Sequence, residues 1–304
     1  AVSESWNGSA WTETNDLNTG GASMSGGGTT TSAIAGARQL APGTTAIAES
    51  WNGSSWSEVS DLNTARRLLG GDGSSNTNAL VFAGEDATSS FANSTKTESW
   101  DGSSWTEVAD LATARGNGVG GAGYGGNQTS LCFGGMAPPP ARTTSTEEWS
   151  FTGISPTDPA AGYSDGIVGD FYYNSTSGQF KAINDGGAPL GSFSSGANLP
   201  TAKDYMRGIG IKTAALGVAG TTPSYGEANK TNSYDGTSWT ELANLNLGRS
   251  DGTFAADGTQ TAGIIAGGQL FPSPGGNLDQ TETFNGSSWS EVSELNTARD
   301  NLTS

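Results

Sequence analysis

Five basic side chains end copies of one short phrase, Leu-x-x-x-Arg or its Lys variant: Arg66, Arg115, Lys203, Arg249 and Arg299. A further copy, Leu17 to Gly21, has glycine in that place. These are five of only 13 basic residues in a chain of net charge −17. Cations set at one radius by a repeat would gather an anionic ligand such as a carboxylate, a sulfate or a uronic sugar. The competing reading gives each cation a repeat glutamate such as Glu98 or Glu147, or has it cap loop carbonyls.

Other chemistry is narrowly bounded. The chain has no histidine and one cysteine, Cys132, so His-based metal sites, His general bases and an intrachain disulfide are excluded. Cys132, in SLCFGG, reads as a small buried hydrophobe. Asp72 and Asp257 stand in Asp-Gly pairs without the clustered acidic loop of a strong Ca²⁺ site. Thirty acidic residues are scattered, so no carboxylate pair for glycoside hydrolysis stands out. Sequons such as Asn7, Asn52, Asn93 and Asn174 are largely turn chemistry. No catalytic residue, metal or cofactor is expected. The pI near 4.1 repels nucleic acid and anionic lipid surfaces, and no apolar run reaches the roughly 20 residues of a membrane span. Ala1 opens inside a repeat and is not expected to be the natural start.

The elements that carry these residues follow from the repeat. The six phrases are spaced by 45, 49, 88, 46 and 50 residues, a period of propeller blades rather than of helical or leucine-rich repeats. No 3.6-residue amphipathic pattern is sustained. Each period reads as four short strands: RLLGG, a turn at Asp72-Gly73, NALVFAG, a variable loop, TKTESW, a turn at Asp101-Gly102, and SSWTEVADL. Asn-Gly and Asp-Gly favour two-residue hairpins. That register pairs Trp51 with Ser54 and Glu49 with Trp56, putting Glu49 and two diagonal indoles on one face. Trp56, Trp105, Trp239 and Trp289 are expected to pack between blades.

The order of features resembles the kelch repeat of β-propellers: a strand ending in a glycine pair or its remnant (Ala83-Gly84, Gly134-Gly135, Ala219-Gly220, Gly267-Gly268), a Trp-bearing strand, then Leu-x-x-x-Arg crossing to the next blade. The short Asn-Gly hairpin and the Gly, Ser and Thr content depart from that pattern. The wording TESWDGSSWTEVADLATAR is similar to kelch-like repeats in virion appendage proteins of marine bacteriophages. The resemblance implies an all-β, kelch-like β-propeller over residues 1–304. It would have six four-stranded blades, the last closed by the N- and C-terminal segments, with 298–304 innermost. A hairpin insertion at 154–190 is expected within the third full blade, where Phe193 takes the Trp position; a degenerate seventh blade or an incomplete ring is the alternative.

In that architecture the Asn-Gly turns lie on one face. The crossings lie on the other, with the variable loops 38–46, 85–95, 136–145, 221–230 and 269–280. Those loops carry Phe91, Tyr225 and Phe271, which join the five basic residues as candidate ligand-binding groups. Galactose-oxidase-type copper chemistry needs histidines the chain lacks. The expected function is a non-enzymatic structural or adhesion module of an extracellular virion, a phage tail or fibre-associated propeller. Its partners would be a host-surface glycan or neighbouring virion proteins, with homo-oligomers possible and neither nucleic acid nor membrane insertion involved. A cellular or secreted kelch-type interaction module and a glycan-active enzyme are the alternatives.

Overall fold

The computed structural model describes residues 2–40, 43–87, 92–123, 125–138, 141–154, 171–174, 179–182, 189–222, 228–250, 253–254, 258–271 and 275–300. Five four-stranded antiparallel meanders follow one another along the chain. The first comprises Ser25–Thr29, Ser32–Leu40, Gly43–Trp51 and Trp56–Val59. The second comprises Gly70–Ser75, Asn78–Phe82, Thr97–Trp100 and Trp105–Val108. The third runs through Gly120–Ala122, Thr129–Phe133, Thr146–Ile154 and Pro189–Ser195. The fourth holds Asp204–Ile211, Ala214–Thr221, Thr231–Tyr234 and Trp239–Glu241. The fifth holds Thr253–Phe254, Gly263–Ala266, Thr281–Phe284 and Trp289–Val292. Ser3–Trp6 and Trp11–Thr14 form a separate N-terminal hairpin.

The core is divided among the joints between sheets. Ile34, Ala48 and Leu62 of the first unit pack with Leu69, Val81, Trp100 and Trp105 of the second. Leu80, Phe82 and Leu111 meet Val119, Cys132 and Trp149 of the third. The third-to-fourth and fourth-to-fifth joints repeat this with Leu199 and Leu245. Each cluster includes the leucine of a crossing phrase, which is why that residue recurs.

The innermost strands are glycine-rich because they touch backbone to backbone. A Cβ on Gly27 would lie 2.3 Å from the Gly73 nitrogen, and one on Gly208 would lie 2.0 Å from the Gly121 oxygen. Between these strands remains a cavity of about 50 Å³ lined by Gly27, Gly71, Asp72, Gly121 and Gly208. It has room for a water molecule, not for a sugar.

The turns differ from the two-residue expectation. Trp51 pairs with Trp56 and Glu49 with Glu58 across a four-residue loop. A two-residue type I′ turn needs positive φ at both positions, and here only Gly53 has it, at 92°. Asn52 instead accepts hydrogen bonds at its Oδ1 from the backbone N–H groups of Ser54 and Ser55, both at 2.9 Å. Asn7, Asp101, Asp235 and Asn285 repeat this arrangement. The paired rings therefore sit directly opposite, with centroids 5.4 Å apart for Trp51 and Trp56.

Asp72-Gly73 is likewise not a turn. It lies within Gly70–Ser75, and the chain reverses at Asn76-Thr77. Most of 38–46 is strand, since the pairing of Ser32–Leu40 with Gly43–Trp51 reaches Leu40 and Gly43. Within the insertion, Phe171–Asn174 pairs with Gln179–Ala182 as a hairpin. Thr146–Ile154 pairs directly with Pro189–Ser195, setting Trp149 against Phe193, and among the described residues the hairpin Phe171–Asn174 with Gln179–Ala182 adds no strand to that sheet.

Candidate functional site

The crossing phrases and the ends of the second strands meet on one face. After the second strand come two residues with positive φ: Ala83 and Gly84 at 61° and 93°, and Gly267 and Gly268 at 64° and 93°. This kink turns an N–H toward the next crossing. Gly84, Gly135 and Gly268 donate to the carbonyls of Arg115, Lys203 and Arg299 at 2.9, 2.8 and 2.8 Å. The crossing's leucine N–H returns to the same sheet, Leu111 to Thr95 and Leu295 to Asp279. Each crossing is thus fastened to the sheet it leaves.

Its arginine enters the next sheet. Arg66, Arg115 and Arg249 are fully buried. Arg66 and Arg249 each pair with a third-strand glutamate at 2.8 Å, Glu98 and Glu282, and Arg115 pairs with Glu147. The other glutamate oxygen accepts the crossing's backbone, from Asn63 N to Glu98 at 2.6 Å and from Asn246 N to Glu282 at 2.8 Å. Burial pulls the Arg66 guanidinium below its usual range, opposed by the Glu98 charge.

This overturns the anion-gathering ring. A guanidinium with no exposed surface, its Nη groups donating to an internal carboxylate and carbonyls, presents nothing to a ligand. Arg299 pairs with Glu4 and donates to Val2 O at 2.9 Å. Lys203 is 1% exposed, and its sheet carries Asn232 where the others carry glutamate. The pairing of Arg66 with Glu98 and Arg115 with Glu147 is the alternative that the sequence offered.

Gly21 is not an empty place either. Arg38, from the second strand of the first sheet, brings its guanidinium to Glu49 at 2.8 Å and donates to Thr19 O. A Cβ on Gly21 would lie 2.9 Å from Arg38 Cδ. The missing arginine has changed strands, and glycine makes room for it. Arg38 at the position of a glycine-pair residue, together with Gly21, was the signal available in the sequence. Burial raises the Glu49 pKa, but hydrogen bonds from the Asn18 and Thr19 backbone and from Arg38 outweigh it and hold the carboxyl below its ordinary value.

Short ribbons join the ends of crossings to loops that escape the repeat on the same face. Arg66–Arg67, Glu85–Asp86 and Ala92–Asn93 form one; Met136–Ala137 with Ala141–Arg142 and Arg249–Ser250 with Gln269–Leu270 form two more. Their charges are paired, Arg67 with Glu85 at 2.8 Å and Arg142 with Asp204 at 2.7 Å. Phe271 is half-buried here, its N–H donating to Gly248 O at 3.1 Å. Phe91, Tyr225 and Asp257 lie outside the described residues. Among the described residues no group of three or more Cys, Asp or Glu could hold a metal ion, and no helix is long and apolar enough to cross a membrane.

No family model matches the chain, and no curated protein matches it. Among solved structures, the chain is similar to that of YjhT, with 11% identity and a TM-score of 0.62 over 92% of this chain and 87% of the other. At that identity the likeness is one of fold, an all-β arrangement of antiparallel sheets consistent with a β-propeller-like architecture.

Proposed function

We propose that the chain is a non-enzymatic display module: a kelch-like propeller of six units whose loop-bearing face binds a host-surface glycan or neighbouring virion proteins. The N-terminal hairpin would be the outer half of the sixth unit. In support, Leu295–Arg299 holds it as the other crossings hold their sheets: Asn296 N donates to Glu4 at 3.1 Å and Arg299 pairs with Glu4. On its far side, Asn18 N donates to Glu49 at 2.8 Å.

The observation that carries the functional reading is a division of labour. The repeated Arg, Glu, Leu and Trp residues are consumed in joining sheets, while the non-repeating ribbons collect on one face of that rigid frame, where recognition usually lies. A net charge of −17 with five of the 13 basic side chains buried favours neutral sugars or basic protein surfaces as partners. The test is a glycan array and a panel of virion proteins probed with the 304-residue chain, alongside an assay for released sugar. Binding that moves with substitutions in 85–95 or 136–145, without release, supports the reading. Turnover of a bound glycan would overturn it in favour of an enzyme.

A further inference from the structure

The sequence holds four Asn-Gly pairs, beginning at Asn7, Asn52, Asn117 and Asn285. Glycine leaves its own nitrogen unhindered beside the side-chain carbonyl carbon of the asparagine before it. Three of the pairs stand at turns with the asparagine exposed, and the fold prepares them alike. Asn52 Oδ1 accepts from the Ser54 amide, the Ser54 hydroxyl and the Ser55 amide, all at 2.9 Å. Asn7 accepts likewise from Ser9 and Ala10, and Asn285 from Ser287 and Ser288, again at 2.9 Å. Three donors thus converge on the oxygen where negative charge develops when a nucleophile adds at Cγ, as in an oxyanion hole. The neighbouring nucleophile is the next main-chain nitrogen, and the N–H groups of Gly8, Gly53 and Gly286 have no acceptor among the described residues. Asn117-Gly118 is built differently. Asn117 is half-buried at a φ of 55°, and the Gly118 N–H is committed to Leu68 O at 3.3 Å.

The remaining two turns show where a reaction at this oxygen would end. Asp101 and Asp235 stand at the same position, and their Oδ1 atoms accept the same three bonds at 2.7 to 2.8 Å. The Thr237 hydroxyl, with the Thr237 and Ser238 amides, pulls the Asp235 carboxyl down to about 2, so the turn favours a carboxylate there. We propose that Asn7, Asn52 and Asn285 are sites of spontaneous deamidation, converting in the folded protein to the aspartate already present at the equivalent turns. The Gly53 nitrogen, giving up its proton, bonds to Asn52 Cγ and closes a five-membered imide. Nδ2 leaves as ammonia, taking up that proton. Water then opens the ring, placing its hydroxyl on Cγ and its remaining proton on the Gly53 nitrogen. Each conversion adds one negative charge to the net −17, on the face opposite the ribbons.

The test incubates the 304-residue protein in mildly alkaline buffer, with peptide mapping by mass spectrometry at intervals, beside a synthetic peptide of sequence Glu49–Val59. Expected are ammonia release and conversion at Asn7, Asn52 and Asn285, at a rate for Asn52 no lower than in the peptide, with Asn117 unchanged. Ser54→Ala should slow conversion at Asn52 and leave Asn7 and Asn285 as before. Asn52→Asp, made directly, should melt no lower than the parent at neutral pH. Slower conversion at Asn52 in the protein than in the peptide would mean that the turn protects the amide, and would overturn the proposal. Conversion of Asn117 alongside the others would overturn the role given to the turn. Isoaspartate as the main product, or a lower melting temperature for Asn52→Asp, would overturn the aspartate product.

Discussion

Glu98 shows how much one side chain carries: one oxygen holds the Arg66 guanidinium and the other holds the crossing's backbone. Removing one partner of a buried pair leaves an uncompensated charge, at a cost of about 3–5 kcal/mol. Glu98→Gln is therefore expected to lower unfolding free energy by that order in urea titrations, with loss of any ligand binding only through unfolding. Asp72 has the opposite effect. Burial pushes its carboxyl well above the usual range, opposed by the nearby Ser130 hydroxyl and the Gly126 and Gly73 backbone. In the unfolded chain it ionises near pH ~3.9. As pH rises past that value, the unfolded state releases a proton that the folded state keeps, so stability falls until the raised folded pKa is passed. Asp72→Asn should thus be more stable than the parent at pH 7 and nearly equal to it at about pH 3, which unfolding curves at the two pH values will check. The Cys132 thiol, raised by burial to about 12, should resist alkylation until the protein unfolds.

At the scale of elements, the strand order, the twin aromatic strands and the insertion hairpin were legible in the sequence because turn residues and alternation recur with the repeat. The register was not. Asn-Gly signals a turn but not its length, and the four-residue loop is chosen by the Asn52 side chain capping the Ser54 and Ser55 amides. The candidate site was legible only as a face: spacing alone aligned the arginines, but whether their side chains point outward or into a sheet depends on Glu98 and its equivalents. A finer pattern joins neighbouring sheets. Trp289, Trp239 and Trp11 donate their indole N–H to Thr231, Thr146 and Thr281 of a neighbouring sheet at 2.9, 3.2 and 3.0 Å. Phe193 cannot donate, and Thr97 Oγ1 is buried without a partner. Restoring the missing donor with Phe193→Trp is expected to stabilise the protein by about 1 kcal/mol if the ring is accommodated. Thermal melts of that variant with and without Thr97→Val should show the gain only when the hydroxyl is present.

At the scale of the whole molecule, the crossings that end in Arg66, Arg115 and Arg249 fasten each sheet to the next at both ends, and Arg299 with Glu4 brings the last joint back to the N-terminal hairpin. Glu4→Gln should then lower the melting temperature although Glu4 belongs to the two-stranded hairpin and to none of the four-stranded sheets, as calorimetry would register. The exceptions to the repeat have a further consequence during folding. Hairpins as alike as ESWNGSSWSEV and ESWDGSSWTEV could exchange places in the collapsing chain. The irregular joints work as addresses. A segment carrying Asn232 lodged opposite Arg66 or Arg115 would leave a buried cation without its carboxylate, and the Arg38 strand lodged beyond any crossing but the one ending at Gly21 would meet a second cation. Wrong arrangements are therefore penalised by charge even where apolar packing is satisfied. The double variant Gly21→Arg, Arg38→Gly gives the first sheet the common plan and should keep native stability, yet refold with a larger slow or aggregating fraction in stopped-flow experiments.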